Sequence, residues 1–227
     1  MTGLRLVIFD VDGTLIDSQN LIVAAMTDTF GAVGRPVPPR AEVLQIVVLS
    51  LELAMARLAP DLDAAGIDAL VAAYRAAFLR LRSQTGGEAA SPLYPGARAA
   101  IEALHARPEV LLGVATGKAR RGLDHAFAAH GLDRFFVTRQ TADTHPSKPH
   151  PAMIEAALAE TGVEPPRAVM VGDTSYDIAM ARAAGVAAIG VSWGYHAAEA
   201  LLAAGAAQVI DGFGALEAAI DTIWGQR

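Results

Sequence analysis

The 227-residue sequence contains no cysteine. This absence excludes disulfide bonds, thiolate metal ligands and cysteine nucleophiles. Basic residues are outnumbered, with 18 lysines and arginines against 24 aspartates and glutamates, and the formal net charge is −6. An acidic chain gives no indication of binding to nucleic acid or to an anionic membrane surface.

Long hydrophobic runs and targeting signals are also absent. No apolar run approaches the roughly 18 residues that a membrane-spanning helix needs, and the N-terminus lacks the pattern of a signal peptide. We therefore expect a cytoplasmic protein, and the sequence indicates no partner protein. The hydrophobic fraction of 53% is ample for one large domain, or for a core domain with an insert.

One short stretch near the N-terminus organises the rest of the chain. Four apolar residues at 6–9 predict a buried strand that runs directly into Asp10 and Asp12. Side chains two positions apart on an extended backbone point to the same side, so these two carboxylates start out as neighbours. Two anions this close repel each other, which indicates that they share a proton or a cation.

The segment that follows this strand is predicted to be entirely helical. Apolar spacing favours helices at about 17–30, 40–58 and 62–82, separated by glycines and prolines. No strand is predicted between residues 15 and 92. We therefore expect an all-helical insert directly after the first strand.

From residue 97 onward, helices alternate with apolar strands. The predicted strands are 110–115, 135–137, 168–173, 187–191 and 208–210. This alternation indicates a parallel sheet covered on both faces. The predicted fold is therefore α/β, with a doubly wound, Rossmann-like parallel sheet as its core. Ligands of such sheets bind outside the carboxyl ends of the strands.

Polar residues follow three of these strands, and a lysine occupies a nearby loop. The residues are Asp10, Asp12, Thr116, Gly117, Lys148, Asp173 and Asp177. Each one alone has an ordinary interpretation as a turn, capping or solvated residue. Their combination at one edge of a sheet is hard to explain by capping, and it predicts a shared site.

This set of side chains suits phosphoryl transfer. A carboxylate such as Asp10 can attack phosphorus to form an aspartyl-phosphate. Asp12 can protonate the leaving oxygen and then activate water. Asp173, with Asp177 one helical turn later, would complete a site of oxygen ligands for Mg²⁺.

The remaining residues suit the phosphate group itself. Thr116 and the adjoining Gly117 precede a helix, where a hydroxyl and free backbone N–H groups can bind phosphate. Lys148 would supply a positive charge to the nucleophile and to the phosphoryl oxygens. A small phosphorylated metabolite is the expected binding partner.

With these motifs the sequence resembles the hydrolases of the haloacid dehalogenase superfamily, and within it the phosphoglycolate phosphatase-like branch. The similarity covers the whole length, and its motifs lie at 10–15, 114–117, 147–151 and 172–177. The resemblance implies Asp10 as nucleophile, Asp12 as acid and base, and Thr116 and Lys148 as phosphate ligands. It further implies that Mg²⁺ is held by Asp10, Asp173 and Asp177 together with the backbone carbonyl of Asp12.

The resemblance also implies a division into domains. Residues 1–15 and 93–227 would form the α/β core domain, and residues 16–92 the helical cap domain, which contributes specificity in this branch.

Val48 stands where related sequences often carry glycine, so phosphoglycolate specificity does not transfer directly. Arginines of the predicted cap are candidates for binding a substrate carboxylate, although most are expected on solvated helix faces: Arg40, Arg57, Arg75, Arg80 and Arg82.

The expected function is Mg²⁺-dependent hydrolysis of small phosphate monoesters, with 2-phosphoglycolate as one candidate substrate. The alternatives within the superfamily are a phosphomutase and a pyrophosphatase. All six histidines and both lysines lie outside the predicted cap, which disfavours a phosphomutase. The alternative of another class is a phospho-accepting receiver domain, a signalling module. The helical insert and the spacing of Asp173 and Asp177 argue against it.

Overall fold

A computed structural model describes residues 3–86 and 91–225. The strands are β1 (Arg5–Phe9), β2 (Val110–Thr116), β3 (Phe136–Thr141), β4 (Ala168–Gly172), β5 (Ala187–Val191) and β6 (Gln208–Ile210). The predicted domain ranges include residues 1–2, 87–90 and 226–227, and those parts of the prediction lie outside the described residues.

The helices of the first half are α1 (Gln19–Ala32), α2 (Arg40–Leu44), α3 (Leu51–Leu58), α4 (Ala64–Gln84) and α5 (Ala97–His105). Those of the second half are α6 (Arg120–His130), α7 (Ala152–Thr161), α8 (Ser175–Ala183), α9 (Ala198–Ala204) and α10 (Leu216–Gly225). Short 3₁₀ helices occupy Pro165–Arg167 and Phe213–Ala215. No helix within the described ranges is both long and apolar enough to cross a membrane.

The six strands form one parallel sheet in the order β3-β2-β1-β4-β5-β6. Strand β1 lies in the middle, where Phe9 pairs with Val114 of β2 on one side and with Val171 of β4 on the other. The chain winds outward in one direction through β2 and β3, and in the other through β4, β5 and β6. The ends of β1 and β4 therefore form the switch point at which such folds bind ligands. The predicted doubly wound α/β fold is confirmed.

Apolar side chains of β1 alternate between the two faces of the sheet. Val7 and Phe9 belong to a cluster with residues of α5, α6 and α10. Leu6 and Ile8 belong to a second cluster, with residues of α7, α8 and α9. All four side chains are fully buried. This burial on both faces explains why the strand reads as a continuous apolar run.

Helices α1 to α4 form a unit between β1 and α5, here called the helical insert (residues 19–84). Its own apolar cluster contains Ile22, Met26, Phe30, Met55 and Leu70, among others. Asp63 caps the N-terminus of helix α4, where its carboxylate accepts a hydrogen bond from the Gly66 backbone N–H at 2.9 Å. The all-helical character predicted for this segment is thus observed.

The single helix predicted at 40–58 is wrong, because the chain leaves the helical path between α2 and α3. Three consecutive β-branched residues, Ile46, Val47 and Val48, lower the helix propensity there. Tertiary contacts favour the break as well, since Ile46 and Val48 are buried. The backbone N–H of Ser50 also donates to the Ser147 hydroxyl of the core at 2.8 Å.

Candidate active site

The carboxyl ends of β1 and β4 bring three buried acids together. Asp10 directly follows β1, Asp173 directly follows β4, and Asp177 lies in the first turn of α8. One oxygen of each carboxylate lies within 4.8 Å of the other two. The fold therefore joins residues that are more than 160 positions apart into one acidic cluster.

Lys148 is the cation of this cluster. Its Nζ lies 2.8 Å from Asp10 Oδ1 and 2.6 Å from Asp177 Oδ1, and its side chain is fully buried. Burial alone would lower the pKa of Lys148, but the charges of Asp10 and Asp177 raise this pKa above its ordinary value. Lys148 is therefore a permanent ammonium group that links the two carboxylates.

Asp10 carries an oxygen that the described residues leave unsatisfied. Its Oδ2 is buried and makes no hydrogen bond among them. Burial raises the pKa of Asp10 to about 7, although Lys148 acts in the opposite direction. Burial, and then the charge of Asp10, also raise the pKa of Asp173 well above its ordinary value.

The cluster fits a divalent cation. Its three carboxylates face a single ammonium group, so full ionisation leaves two negative charges without a counter-charge. An unpartnered carboxylate oxygen and a set of oxygen donors are what a hard ion such as Mg²⁺ prefers. The buried acids could thus hold a metal ion.

Asp173 is held in place by the loops around it. Its Oδ1 accepts a hydrogen bond from the Thr14 hydroxyl at 2.9 Å, and its Oδ2 accepts one from the Tyr195 backbone N–H at 2.8 Å. A Cβ atom on Gly13 or Gly194 would collide with the Asp173 side chain, and Gly13 has φ +84°. Glycine at these two positions therefore lets the backbone approach the carboxylate closely.

Asp177 also serves the start of α8. Its Oδ2 accepts hydrogen bonds from the Thr174 backbone N–H at 3.0 Å and from the Thr174 hydroxyl at 2.7 Å. The reciprocal bond from the Asp177 N–H completes a capping box. The Thr-x-x-Asp spacing in the sequence would have indicated this capping role, which fixes the direction of the Asp177 carboxylate.

Asp12 lies beside this cluster in different surroundings. Lys118 Nζ lies 2.9 Å from its Oδ2, and the Ser18 hydroxyl donates a hydrogen bond to its Oδ1. Ser18 in turn contacts the Tyr195 hydroxyl at 3.3 Å. The sequence-based prediction did not include Lys118 or Ser18 in the site. The scarcity of lysine and the position of Lys118 directly after Thr116-Gly117 were the available signals.

Thr116 and Gly117 form a turn at the end of β2, next to Asp12. Thr116 is buried, and its hydroxyl accepts a hydrogen bond from the Lys118 backbone N–H at 3.2 Å. A Cβ atom on Gly117 would lie 2.5 Å from the carbonyl oxygen of Val48. The backbone of the helical insert thus rests directly on this turn.

Polar contacts also join the insert to the core. The Arg57 guanidinium donates to the Tyr176 hydroxyl at 2.6 Å, and His196 Nε2 lies 3.4 Å from the Gln45 carbonyl oxygen. The His196 Nδ1 atom accepts a hydrogen bond from the Ser175 backbone N–H at 3.2 Å. The insert therefore lies closed over the carboxyl edge of the sheet.

A cavity of about 340 Å³ lies between the insert and the core. Asp12, Gly117 and Lys118 form part of its wall on the core side, and α1, α3 and α4 supply most of the other side. The site thus combines an acidic cluster, a turn with a buried hydroxyl group, and an enclosed space next to Asp12.

The chain belongs to the haloacid dehalogenase-like hydrolase family, whose model matches residues 7–191. It is 36% identical over 211 residues to the protein named "Probable phosphatase IndB" of Dickeya dadantii (strain 3937), with 92% of this chain and 90% of that protein covered. It is 30% identical over 208 residues to a phosphoglycolate phosphatase of Vibrio vulnificus (strain YJ016), at 88% and 89% coverage.

Solved structures agree with this assignment. The fold matches the crystal structure of CbbY from Rhodobacter sphaeroides in complex with phosphate, with a TM-score of 0.81 and 27% identity. That match covers 96% of this chain and 99% of the other. The comparisons confirm the predicted family and the enzyme class, a phosphatase of the haloacid dehalogenase-like hydrolases.

Proposed function

We propose that this phosphatase hydrolyses small phosphate monoesters with the help of Mg²⁺, through an aspartyl-phosphate on Asp10. The observation that carries the proposal is the Asp10 carboxylate. One of its oxygens is hydrogen-bonded to Lys148, and the other is buried without a hydrogen-bond donor among the described residues. Such a group is poised to interact with an electrophile rather than with a structural partner.

The proposed reaction has two steps. The Asp10 carboxylate attacks phosphorus, the phosphorus–ester oxygen bond breaks, and Asp12 donates a proton to the leaving oxygen. Asp12 then takes a proton from a water molecule that attacks the aspartyl-phosphate, which releases inorganic phosphate and free Asp10. The Thr116 hydroxyl, backbone N–H groups of the turn at Gly117, and Lys148 are the proposed phosphate ligands.

Mg²⁺ is the proposed cofactor. The proposed ligands are the carboxylates of Asp10, Asp173 and Asp177 and the backbone carbonyl of Asp12. When bound, the ion would offset the repulsion within the acidic cluster and the charge of the phosphoryl oxygens. The raised pKa values of Asp10 and Asp173 support this role, because burial disfavours the ionised form of both carboxyl groups and a bound cation would favour that form.

The helical insert is proposed to act as a cap domain. The proposed division assigns residues 16–92 to the cap, and residues 1–15 and 93–227 to the core. Support comes from the separate apolar cluster within the insert and from the close approach of Val48 to Gly117. A closed cap would exclude water and so strengthen every charge interaction in the site.

We also propose a candidate for the physiological substrate. Relatives named phosphoglycolate phosphatase support 2-phosphoglycolate as a candidate. A phosphomutase and a pyrophosphatase are the alternatives within the family. The match to a hydrolase family over residues 7–191 argues against a receiver domain.

The test is phosphate release from a panel of esters with Mg²⁺. The panel contains 2-phosphoglycolate, p-nitrophenyl phosphate, sugar phosphates, nucleotides and pyrophosphate. We expect wild-type turnover of monoesters, complete loss in Asp10→Asn, and a loss of about 10²-fold to 10⁴-fold in Asp12→Asn. Asp68→Asn, an exposed change on α4, is the matched control and should behave as wild type. Full activity in Asp10→Asn would contradict the proposal.

A further inference from the structure

The cavity between the insert and the core lies on the leaving-group side of the proposed reaction. Asp12, the proposed acid, forms part of its wall together with Gly117 and Lys118. The three members of the acidic cluster, Asp10, Asp173 and Asp177, do not line it. The part of a substrate that departs with the proton from Asp12 would therefore occupy this cavity.

The cavity is too large and too apolar for a two-carbon leaving group. Its volume of about 340 Å³ falls in the range of roughly 300–1,000 Å³ typical of pockets for drug-sized ligands. Apolar and aromatic side chains of the insert dominate the lining and include Met26, Val43, Ile46, Leu51, Tyr74 and Phe78. Such walls favour an extended apolar or aromatic body, because its burial contributes the hydrophobic binding energy.

Tyr74 adds a hydrogen-bond donor to this lining. Its ring packs against Phe78 with centroids 5.9 Å apart. Burial, and then the negative charge of Asp12, raise the pKa of Tyr74 above its ordinary value. The hydroxyl therefore remains protonated and neutral at physiological pH.

Four cationic side chains also line the cavity, and two of them are already neutralised. The four are Arg75, Arg82, Lys118 and Arg121. Lys118 pairs with Asp12 at 2.9 Å. Arg75 pairs with Glu52 at 3.0 Å. In each of these two pairs the positive charge is balanced by the negative charge of its partner.

The other two cations, Arg82 and Arg121, have no such partner. Neither side chain makes an ion pair or a hydrogen bond within residues 3–86 and 91–225. The remaining acid of the lining, Asp143, already accepts hydrogen bonds from the Arg120 backbone N–H and the Thr141 hydroxyl. Partial burial, and then the charge of Arg121, lower the pKa of Arg82. Two guanidinium groups that repel each other beside an apolar cavity form a receptor for an anion.

We infer that the substrate is a phosphate monoester with an extended apolar or aromatic body and a second anionic group, and that Arg82 and Arg121 bind this second group. The inference rests on the proposed phosphatase function and specifies its substrate class. The second anion is a carboxylate or a further phosphate-type group, since both suit guanidinium. In 2-phosphoglycolate the carboxylate is one carbon from the ester oxygen, so this molecule lacks the body that would fill the cavity.

The test compares esters that differ only at the far end. The neutral reference is 4-ethylphenyl phosphate, and the two anionic esters are 4-(carboxymethyl)phenyl phosphate and 4-(phosphonomethyl)phenyl phosphate. A methylene group insulates the ring from each anion, so the three leaving groups have similar acidity. We expect wild-type kcat/KM to be about 10-fold to 100-fold higher for at least one anionic ester, as expected for a charge-assisted hydrogen bond. The better anionic ester identifies which anion the arginines prefer.

Variants then locate the anion. Arg82→Gln and Arg121→Gln should each reduce the preference ratio toward one. Turnover of the neutral ester by each variant shows that the variant is folded. Arg80→Gln is the matched control on the same helix, because Arg80 pairs with Asp28 and does not line the cavity. Its preference ratio should equal that of wild type.

Three outcomes would overturn the inference while the proposed function stands. The first is a wild-type ratio of one or less for both anionic esters. The second is an unchanged ratio in both Arg82→Gln and Arg121→Gln. The third is a preference of more than 10-fold for 2-phosphoglycolate over all the aryl esters. A wild-type protein that releases phosphate from no ester at all overturns the proposed function, and the inference with it.

Discussion

Asp177 accepts a hydrogen bond from Lys148 at 2.6 Å through one oxygen, while its other oxygen caps the N-terminus of α8. The same carboxylate thus orients the buried cation of the site and fixes the helix that follows Asp173. The sequence predicts Asp177 only as a metal ligand, but in the fold its carboxylate also binds Lys148 and caps α8. The arrangement explains how Lys148, which stands on a loop, is held against Asp10.

Asp177→Asn tests this positioning role. The amide keeps the shape of the side chain but removes the charge that holds Lys148. We expect activity or Mg²⁺ affinity to fall about 10-fold to 100-fold, the usual cost of losing a group that orients a metal site. Steady-state kinetics as a function of Mg²⁺ concentration, with Asp68→Asn as control, measure this effect. Wild-type kinetics in Asp177→Asn would show that Lys148 needs no second carboxylate.

Lys118 is expected to position the proposed acid Asp12. Replacing Lys118 with Met removes the ion pair at 2.9 Å, and a misplaced acid should lower kcat/KM by about 10²-fold for alkyl esters. The loss in kcat/KM, which reports formation of the aspartyl-phosphate, should be much smaller for p-nitrophenyl phosphate because its leaving group departs without a proton. Lys118→Arg should restore part of the activity. Equal losses on both substrates would assign Lys118 a structural role instead.

The stability of the metal-free protein should depend on pH through Asp10. Burial raises the pKa of Asp10 from 3.8 to about 7, so the folded state holds its proton more tightly than the unfolded chain does. This contribution to stability is fully present below about pH 4 and is lost as the pH rises through 7. At pH 8 in EDTA, the free energy of unfolding of Asp10→Asn should therefore be higher than that of wild type. Since each pKa unit corresponds to about 1.36 kcal/mol, the difference should reach up to about 4 kcal/mol.

Urea unfolding of both proteins between pH 4 and pH 8 measures this difference. At pH 4 the two free energies should be similar, because the wild-type carboxyl group is then protonated. Addition of Mg²⁺ at pH 8 should stabilise wild type more than Asp10→Asn, since the ion binds the ionised carboxylate. A difference that does not change with pH would rule out the raised pKa.

Gly117 is expected to permit closure of the helical insert. In Gly117→Ala the new methyl group would lie 2.5 Å from the Val48 carbonyl oxygen, a backbone atom that cannot turn away. We expect the insert to move outward, with a higher KM and a larger radius of gyration in X-ray scattering. Gly31→Ala is the control, because a Cβ there meets no atom within 4 Å. That control should be stabilised by about 0.5–1 kcal/mol, and an unchanged KM in Gly117→Ala would argue against closure.

Local patterns were sufficient for much of the fold. Strand β1 was predictable because both of its faces are buried, which leaves an apolar run ending in two acids. Strand β3 was predicted at 135–137 and ends four residues later, at Thr141, because residues 138–141 are polar. Those residues join the sheet through pairing with β2, and such pairing leaves no signal in their own sequence. The break in the helix predicted at 40–58 likewise depends on contacts with the distant Ser147 and Gly117.

The identities of the buried acids, of Lys148 and of Thr116 could be read from the chain, because residue types after apolar strands follow from local sequence. How these residues pair depends on packing between segments that are far apart in sequence. Asp12 faces Lys118 and Ser18, Asp177 faces Lys148, and Asp10 alone retains an unpartnered oxygen within the described residues. The partner of each charged side chain depends on which segments pack together in the fold. The sequence pattern does not determine the distances between side chains on those segments.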